Sequence, residues 1–306
     1  MSGTGANPVV VWADGRLVDP AGSHISWADH GLTVGDGVFE TVKLQGGAPF
    51  ALAAHLDRLE ASARGMLMAP PDRRTLEEAC SSVAREWERL AGAGATARLR
   101  ITVTTGAAPA GSERGEGEAT VLVTASPMTL TREPTAVVVV PWTRNERGAL
   151  AGLKTTSYGE NVVALAHARS RGASEAIFAN TRGELCEGTG TNVFLARDGV
   201  LATPPLGSGC LDGITRSLLI DALGDAGIEV DTAPLPLEAL AAADEAFLTS
   251  TGREVQPIAR VDGGLLSRAP GPLTAAAMQA WDTAYGSNST AYGSNSTAYG
   301  SNAGSA

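Results

Sequence analysis

Only Lys43 and Lys154 among the 23 basic residues are lysines; the others are arginines. A chain that uses arginine for general positive charge keeps a lysine where an amine must lose its proton and attack a carbonyl, or keeps it by chance in an arginine-rich background. Lys154 stands in Gly152-Leu153-Lys154-Thr155-Thr156-Ser157-Tyr158, directly before a helical segment, where a turn can aim it into a cleft. Some thirty residues on, the hairpin from Ala176 to Glu187 runs into Gly188-Thr189-Gly190-Thr191-Asn192. Small residues there let a flat ligand approach, and Glu187 at the strand end can keep a pyridine nitrogen protonated or simply cap the Gly/Thr loop. Gly213-Ile214-Thr215-Arg216 opens a helix whose N–H groups and dipole suit a phosphate, and Thr249-Ser250-Thr251-Gly252-Arg253 forms a second such loop. Each of these two also reads as an ordinary N-cap or turn.

The surrounding pattern must position these groups. Residues 8–50 read as short strands and hairpins, with Gly37 to Leu44 as a strand closing on Gly46-Gly47. Helical spacing follows from Leu52 to about Gly65 and from Thr75 to Leu90. The stretch Thr96 to Thr104 alternates, putting Leu99, Ile101 and Val103 on one face and Arg98, Arg100 and Thr102 on the other. Strands at Ala119–Ala125 and Ala136–Val140 bracket a Pro-containing segment, a helix spans about Asn161 to Arg171, and strands and helices alternate to about Trp281. The expected organisation is a small N-terminal α/β domain (1–126), a linker (127–135), a larger ligand-binding domain (136–281) and a disordered Tyr/Gly/Ser/Asn repeat tail (282–306), with a cleft between the lobes.

Composition narrows the partners. A net charge of -10 without a basic stripe argues against nucleic acid. No apolar run approaches the roughly 20 residues of a membrane span, and the first residues lack an export signal, so a cytoplasmic protein with no membrane partner is expected. Cys80, Cys186 and Cys210 are read as packed thiols, and the four histidines never fall at metal-ligand spacing, so no metal is expected.

Taken in order, Gly35-Asp36-Gly37-Val38-Phe39-Glu40, His55-Leu56-Asp57-Arg58-Leu59, Lys154, Glu187 with its Gly/Thr loop, Gly213-Ile214-Thr215-Arg216 and Ser250-Thr251 before Pro257 resemble the class IV aminotransferase family. The resemblance covers about residues 8 to 265 and implies an α+β, fold-type IV enzyme. Its larger C-terminal lobe would carry a mixed, barrel-like β core with flanking helices. It implies pyridoxal 5'-phosphate (PLP) held as a Schiff base by Lys154, which also moves the substrate Cα proton. Glu187 would pair with the pyridine nitrogen. Arg58, Ile214, Thr215 and Thr251 would hold the phosphate, and Tyr158 would touch the ring oxygen, although it lies one residue nearer the lysine than is usual. A homodimer is implied as well.

The same resemblance suggests Phe39, Thr41, Arg100 and Ser250 as substrate contacts, with Arg100 clamping a carboxylate or lying on a solvated strand face. Lys43 shares the face of Phe39 and Thr41; it either recognises an acidic substrate or is a solvent-exposed strand lysine. The stretch Ala107-Ala108-Pro109-Ala110-Gly111-Ser112 lacks the Arg-x-His trap of the best-known D-amino-acid transaminases. The leading expectation is amino-group transfer between an amino acid or amine and a 2-oxo acid. The alternative is a 4-amino-4-deoxychorismate lyase giving 4-aminobenzoate and pyruvate, against which Ser157-Tyr158 replaces that lyase's frequent Asn-Arg pair. A non-catalytic binding protein on the same fold is the third reading.

Overall fold

The computed structural model describes residues 8–286, which divide into two compact units, 8–128 and 129–286. In the first unit the chain forms β1 (Val10–Ala13), β2 (Arg16–Val18), the short α1 (His30–Thr33), β3 (Gly37–Gln45), β4 (Ala48–Pro49), α2 (Leu52–Gly65), α3 (Arg73–Ala91), β5 (Ala97–Thr104) and β6 (Thr120–Pro127). The strands lie in the order β2-β1-β6-β5-β3-β4, every pair antiparallel. Alternation decides the faces. Val38, Val42 and Leu44 of β3 join Leu99, Ile101 and Val103 of β5 in a core with Leu56, Leu59, Leu76, Val83 and Trp87 of the two long helices. α3 opens at Arg73, two residues before the helix expected from Thr75, because the Asp72 carboxylate accepts the Thr75 N–H and caps the first turn.

Lys43 corrects one expectation: it is buried, at 2% exposure, and not a solvent-exposed strand lysine. The β3–β4 hairpin folds Phe50 back so that its N–H reaches the Lys43 carbonyl at 2.8 Å, which sets the ring 5.2 Å from the ammonium.

The second unit contains β7 (Thr135–Arg144), α4 (Gly159–Ser170), β8 (Glu175–Asn180), β9 (Leu185–Gly188), β10 (Asn192–Arg197), β11 (Val200–Ala202), α5 (Ile214–Asp225), β12 (Val230–Asp231), β13 (Glu245–Ser250), β14 (Glu254–Val261), β15 (Gly264–Leu265) and α6 (Pro272–Tyr285). Its mixed sheet runs β12-β11-β10-β13-β14-β7-β8-β9, with β15 on β14 and β7 parallel to both β8 and β14. β9 passes into β10 through a tight turn closed by Gly188 N–H to Thr191 C=O, which brings the far end of the order back to β10 and curls the sheet into a barrel-like core. The unbroken valines of β7 follow from this layering. Val137 enters the core with Ile177, Val193 and Leu248, whereas Val138 and Val140 pack with Ala164 and Ala168 of α4, so both faces of the strand are covered.

α6 continues through Tyr285, whose ring lies 4.9 Å from that of Trp281, so residues 282–285 of the segment expected to be disordered are helical. The rest of that repeat, from residue 287, lies outside the described residues. All three cysteines are free and buried. Burial pushes Cys80 up to about 12 and Cys210 up to about 11, so both are protonated thiols at neutral pH.

Candidate active site

Glu187 sits on β9 opposite Phe178 of β8. One oxygen accepts the Leu211 N–H at 2.9 Å; the other lies 3.4 Å from Nε of Arg144 without a hydrogen bond forming. Arg144 is held elsewhere: its guanidinium stacks 4.4 Å over Phe178 and donates to Oδ1 of Asn161 at 3.1 and 3.2 Å. Burial pushes the Glu187 carboxyl above its usual range, although Arg144, the Leu211 N–H and Lys154 pull the other way. A carboxylate offers about four acceptor sites, and Leu211 uses one. Glu187 therefore has room for one strong donor that brings a positive charge.

Lys154 lies in the loop between β7 and α4, half-buried, and its charge acts on Glu187. Four residues on, Tyr158 precedes the first residue of α4; its hydroxyl donates to the Thr189 carbonyl at 2.8 Å, and Asn161 Nδ2 donates to the same oxygen at 2.5 Å. Burial, then the Glu187 charge, raises the Tyr158 phenol, which is therefore neutral at pH 7. Lys154, Tyr158 and Glu187, far apart in sequence, are thus one electrostatic cluster in the second unit.

The loop before α5 is seated on the same group, because Leu211 gives its N–H to Glu187 while its carbonyl accepts from Asn192 Nδ2 at 2.8 Å. α5 begins at Ile214, within the Gly213-Ile214-Thr215-Arg216 segment read as opening a helix, with Gly213 as N-cap and no side-chain cap hydrogen bond. A Cβ on Gly213 would meet Asn192 Oδ1 at 1.9 Å, so only glycine brings the Ile214 and Thr215 amides this close to Asn192. Asn192 pairs across the ladder with Thr249, whose buried hydroxyl has no hydrogen-bond partner among the described residues. Ser250 and Thr251 follow directly, and Arg253 pins this turn by donating to the Ser174 carbonyl at 3.0 Å. Uncapped helix amides, an orphaned hydroxyl and a forced glycine together fit an anionic phosphate. The adjoining carboxylate, raised by burial and with acceptor capacity to spare, fits a basic ring nitrogen, and the lysine fits an aldehyde, so the donor set suits PLP.

In the first unit, Arg58 makes a bidentate pair with Glu40, Nε to Oε1 and Nη2 to Oε2 both at 2.7 Å, and His55 Nδ1 meets Oε2 at 2.7 Å. This buried carboxylate is held far below its usual range by the Arg58 charge and the His55 hydrogen bond, which outweigh the cost of burial. On the opposite face of β3 lie Phe39 and Thr41, with Arg100 across the ladder from Thr41. Its guanidinium stacks 3.8 Å over Phe39 and Nε donates to Thr102 at 3.1 Å, so Arg100 lies along the sheet and does not extend into solvent.

Residues 37–261 match the family described as amino-transferase class IV. The chain belongs to the class IV aminotransferases. It is 32% identical to a branched-chain-amino-acid aminotransferase of Pseudomonas aeruginosa, over 89% of this chain and 91% of that protein. It is 28% identical to the aminodeoxychorismate lyase of Bacillus subtilis, over 83% and 87%. Among solved structures, a hypothetical aminotransferase from Mycobacterium tuberculosis, in a PLP-bound form, superposes with a TM-score of 0.80 at 27% identity, covering 89% of this chain and 97% of that one. The α+β, fold-type IV architecture expected from the motifs is the one this family member adopts.

Several residues around these groups are not marked in the sequence as functional: Arg144 and Asn161 in the second unit and, separately, Glu40 and His55 in the first. Glu40 and His55 stand inside motifs that carry the resemblance, which is the one signal that could have found them. Arg144 ends β7 after an apolar run, as a strand-end charge commonly does, and Asn161 reads as an ordinary first-turn helix residue. No helix among the described residues is long and apolar enough to cross a membrane.

Proposed function

We propose that this enzyme uses PLP to transfer an amino group between an amino acid or amine and a 2-oxo acid, with Lys154 as the catalytic residue. The observation that carries the reading is the meeting of Lys154 and Tyr158 around the half-buried Glu187 carboxylate, which has spare acceptor capacity. PLP, when bound, supplies an aldehyde and an electron sink. Lys154 would hold the group through its aldehyde carbon, and its amine would serve as the base that moves the proton at substrate Cα. Glu187 keeps the ring nitrogen protonated; binding a cation there restores the charge that burial disfavours. Tyr158 would contact the ring oxygen. Ile214 and Thr215 offer backbone amides to the phosphate, and Thr251 and Arg58 complete its binding.

Phe39, Thr41, Arg100 and Ser250 are assigned to the substrate, Arg100 for a carboxylate. The proposed assembly is a homodimer, and the proposed location cytoplasmic. Lyase chemistry is the second reading, favoured by the similarity to the Bacillus subtilis enzyme. Both reactions begin with the same lysine, so the discriminating observation is the second substrate. Visible spectra of the protein with PLP, followed by single amino donors without any oxo acid, separate the readings. A band that depends on Lys154 and converts with an amino acid supports transamination. A band that ignores every amino acid, with pyruvate released from aminodeoxychorismate, supports the lyase. No Lys154-dependent band would overturn both.

A further inference from the structure

Glu175, the first residue of β8, is buried at 3% exposure and takes no part in the chemistry described above. Its Oε1 accepts the N–H of Ala176 at 3.0 Å and the N–H of Thr189 at 3.1 Å, together with the Thr189 hydroxyl in a shorter contact. Its Oε2 accepts the Thr191 hydroxyl at 3.3 Å and lies 4.0 Å from Nη2 of Arg253. The β9–β10 turn wraps closely around this carboxylate. A Cβ on Gly188 would come within 2.1 Å of Thr191 Oγ1 and 3.1 Å of Glu175 Cγ, so glycine is required there.

The Thr189 residue is thereby fixed on both sides. Its N–H and hydroxyl point into Glu175, while its carbonyl receives Tyr158 and Asn161. A phenol has one proton to donate, and Tyr158 directs it at that carbonyl, which fixes where the oxygen lone pairs face. Displacing the Thr189 peptide would turn the hydroxyl, and a rotated hydroxyl changes the field at whatever titrating group stands beside it.

We infer that Glu175 is a positioning residue for the reaction: by locking the Thr189 peptide, whose carbonyl takes the Tyr158 proton, it sets how the Tyr158 oxygen faces the group that Lys154 would hold. This rests on the assignment of Lys154 and Tyr158 made above, and deepens it. The part of the Glu175 effect that runs through Thr189 and Tyr158 must vanish when the phenol is gone, whereas its direct charge effect on Glu187 is the same in either background.

The test is a pH titration of the Lys154-dependent visible band in the PLP-loaded wild type, Glu175→Gln, Tyr158→Phe and the double variant. Glu175→Gln should move the titration midpoint by roughly half a pH unit or more in the wild-type background. In the Tyr158→Phe background the same change should move it by no more than about half as much, the remainder being the direct charge effect on Glu187. An unshifted midpoint in Glu175→Gln, or an equal shift with and without the phenol, would overturn the inference and leave the assignment of Lys154 intact. Should Glu175→Gln fail to fold, Thr189→Val removes only the hydroxyl donor. It should give a smaller shift, again only when Tyr158 is present, and no shift would likewise overturn the proposal. Absence of the band in the wild type sinks the reading itself and the inference with it.

Discussion

Two glutamates, Glu40 fully buried and Glu187 half-buried, each beside an arginine, meet opposite fates in the two units. Glu40 receives three 2.7 Å contacts from Arg58 and His55, and its carboxyl is driven far down. Glu187 has Arg144 at 3.4 Å without a hydrogen bond and one backbone donor, and its carboxyl is raised. Burial costs both groups; what differs is whether the charge is met by well-directed donors. A saturated carboxylate is structural cement, whereas an unsaturated one is poised for a partner that arrives later. Arg144 illustrates how the second condition is kept: Phe178 and Asn161 hold the guanidinium, so its charge is felt while Glu187 stays open.

The contrast breaks most visibly at the lysine beside the open carboxylate. Lys154→Ala should reduce turnover by about a thousandfold or more, measured under saturating PLP, because it removes both the anchor and the proton carrier. Glu40→Gln should cost about 3 kcal/mol of stability in denaturant unfolding, since it leaves Arg58 and His55 facing a neutral group in the interior. Glu187→Gln should lower turnover by roughly ten- to a hundredfold, the loss of one charge-assisted hydrogen bond to the ring nitrogen, while leaving PLP-free stability near neutral pH unchanged or improved. An Arg58 pair equally dispensable for folding would dissolve the comparison.

The pH dependence sharpens it with opposite signs. The depressed Glu40 carboxyl contributes stability that is full above the unfolded glutamate value and lost as pH falls below it. The raised Glu187 carboxyl favours the folded state at low pH and opposes it as pH rises past the unfolded value toward the folded one. Melting of the PLP-free protein across pH 3 to 7 should accordingly lose its acid-side slope in Glu40→Gln and become less unfavourable on the rising side in Glu187→Gln. The smallest effect should come from Tyr158→Phe, about tenfold or less in turnover, as for a single neutral hydrogen bond.

What the sequence made legible were groups with local signatures. Scarcity exposed Lys154, a strand end followed by Gly and Thr exposed Glu187, and strict alternation assigned the two faces of β5. Partners brought in by the fold were not legible. Nothing near Arg144 in sequence announces Phe178 and Asn161, and the parallel placement of β7 between β8 and β14 arises from long-range pairing. Lys43 was open to misreading because a lysine on an alternating strand is usually solvated; only the return of the chain at Phe50 encloses it. The opening of α5 at Gly213-Ile214 was legible, but the reason glycine stands there was not, because it depends on Asn192, a residue of a distant strand.

The near-absence of lysine has a practical side. With Lys43 enclosed, amine-directed labels and aldehyde-coated supports would find, apart from the terminal amine, essentially one target on this protein, and it is Lys154. Under the role proposed for Lys154, coupling that would tether most enzymes harmlessly through scattered surface lysines would here inactivate the enzyme, and bound cofactor would act as the protecting group. Attachment through the abundant surface carboxylates, which the -10 charge supplies, is the route that leaves the chemistry untouched.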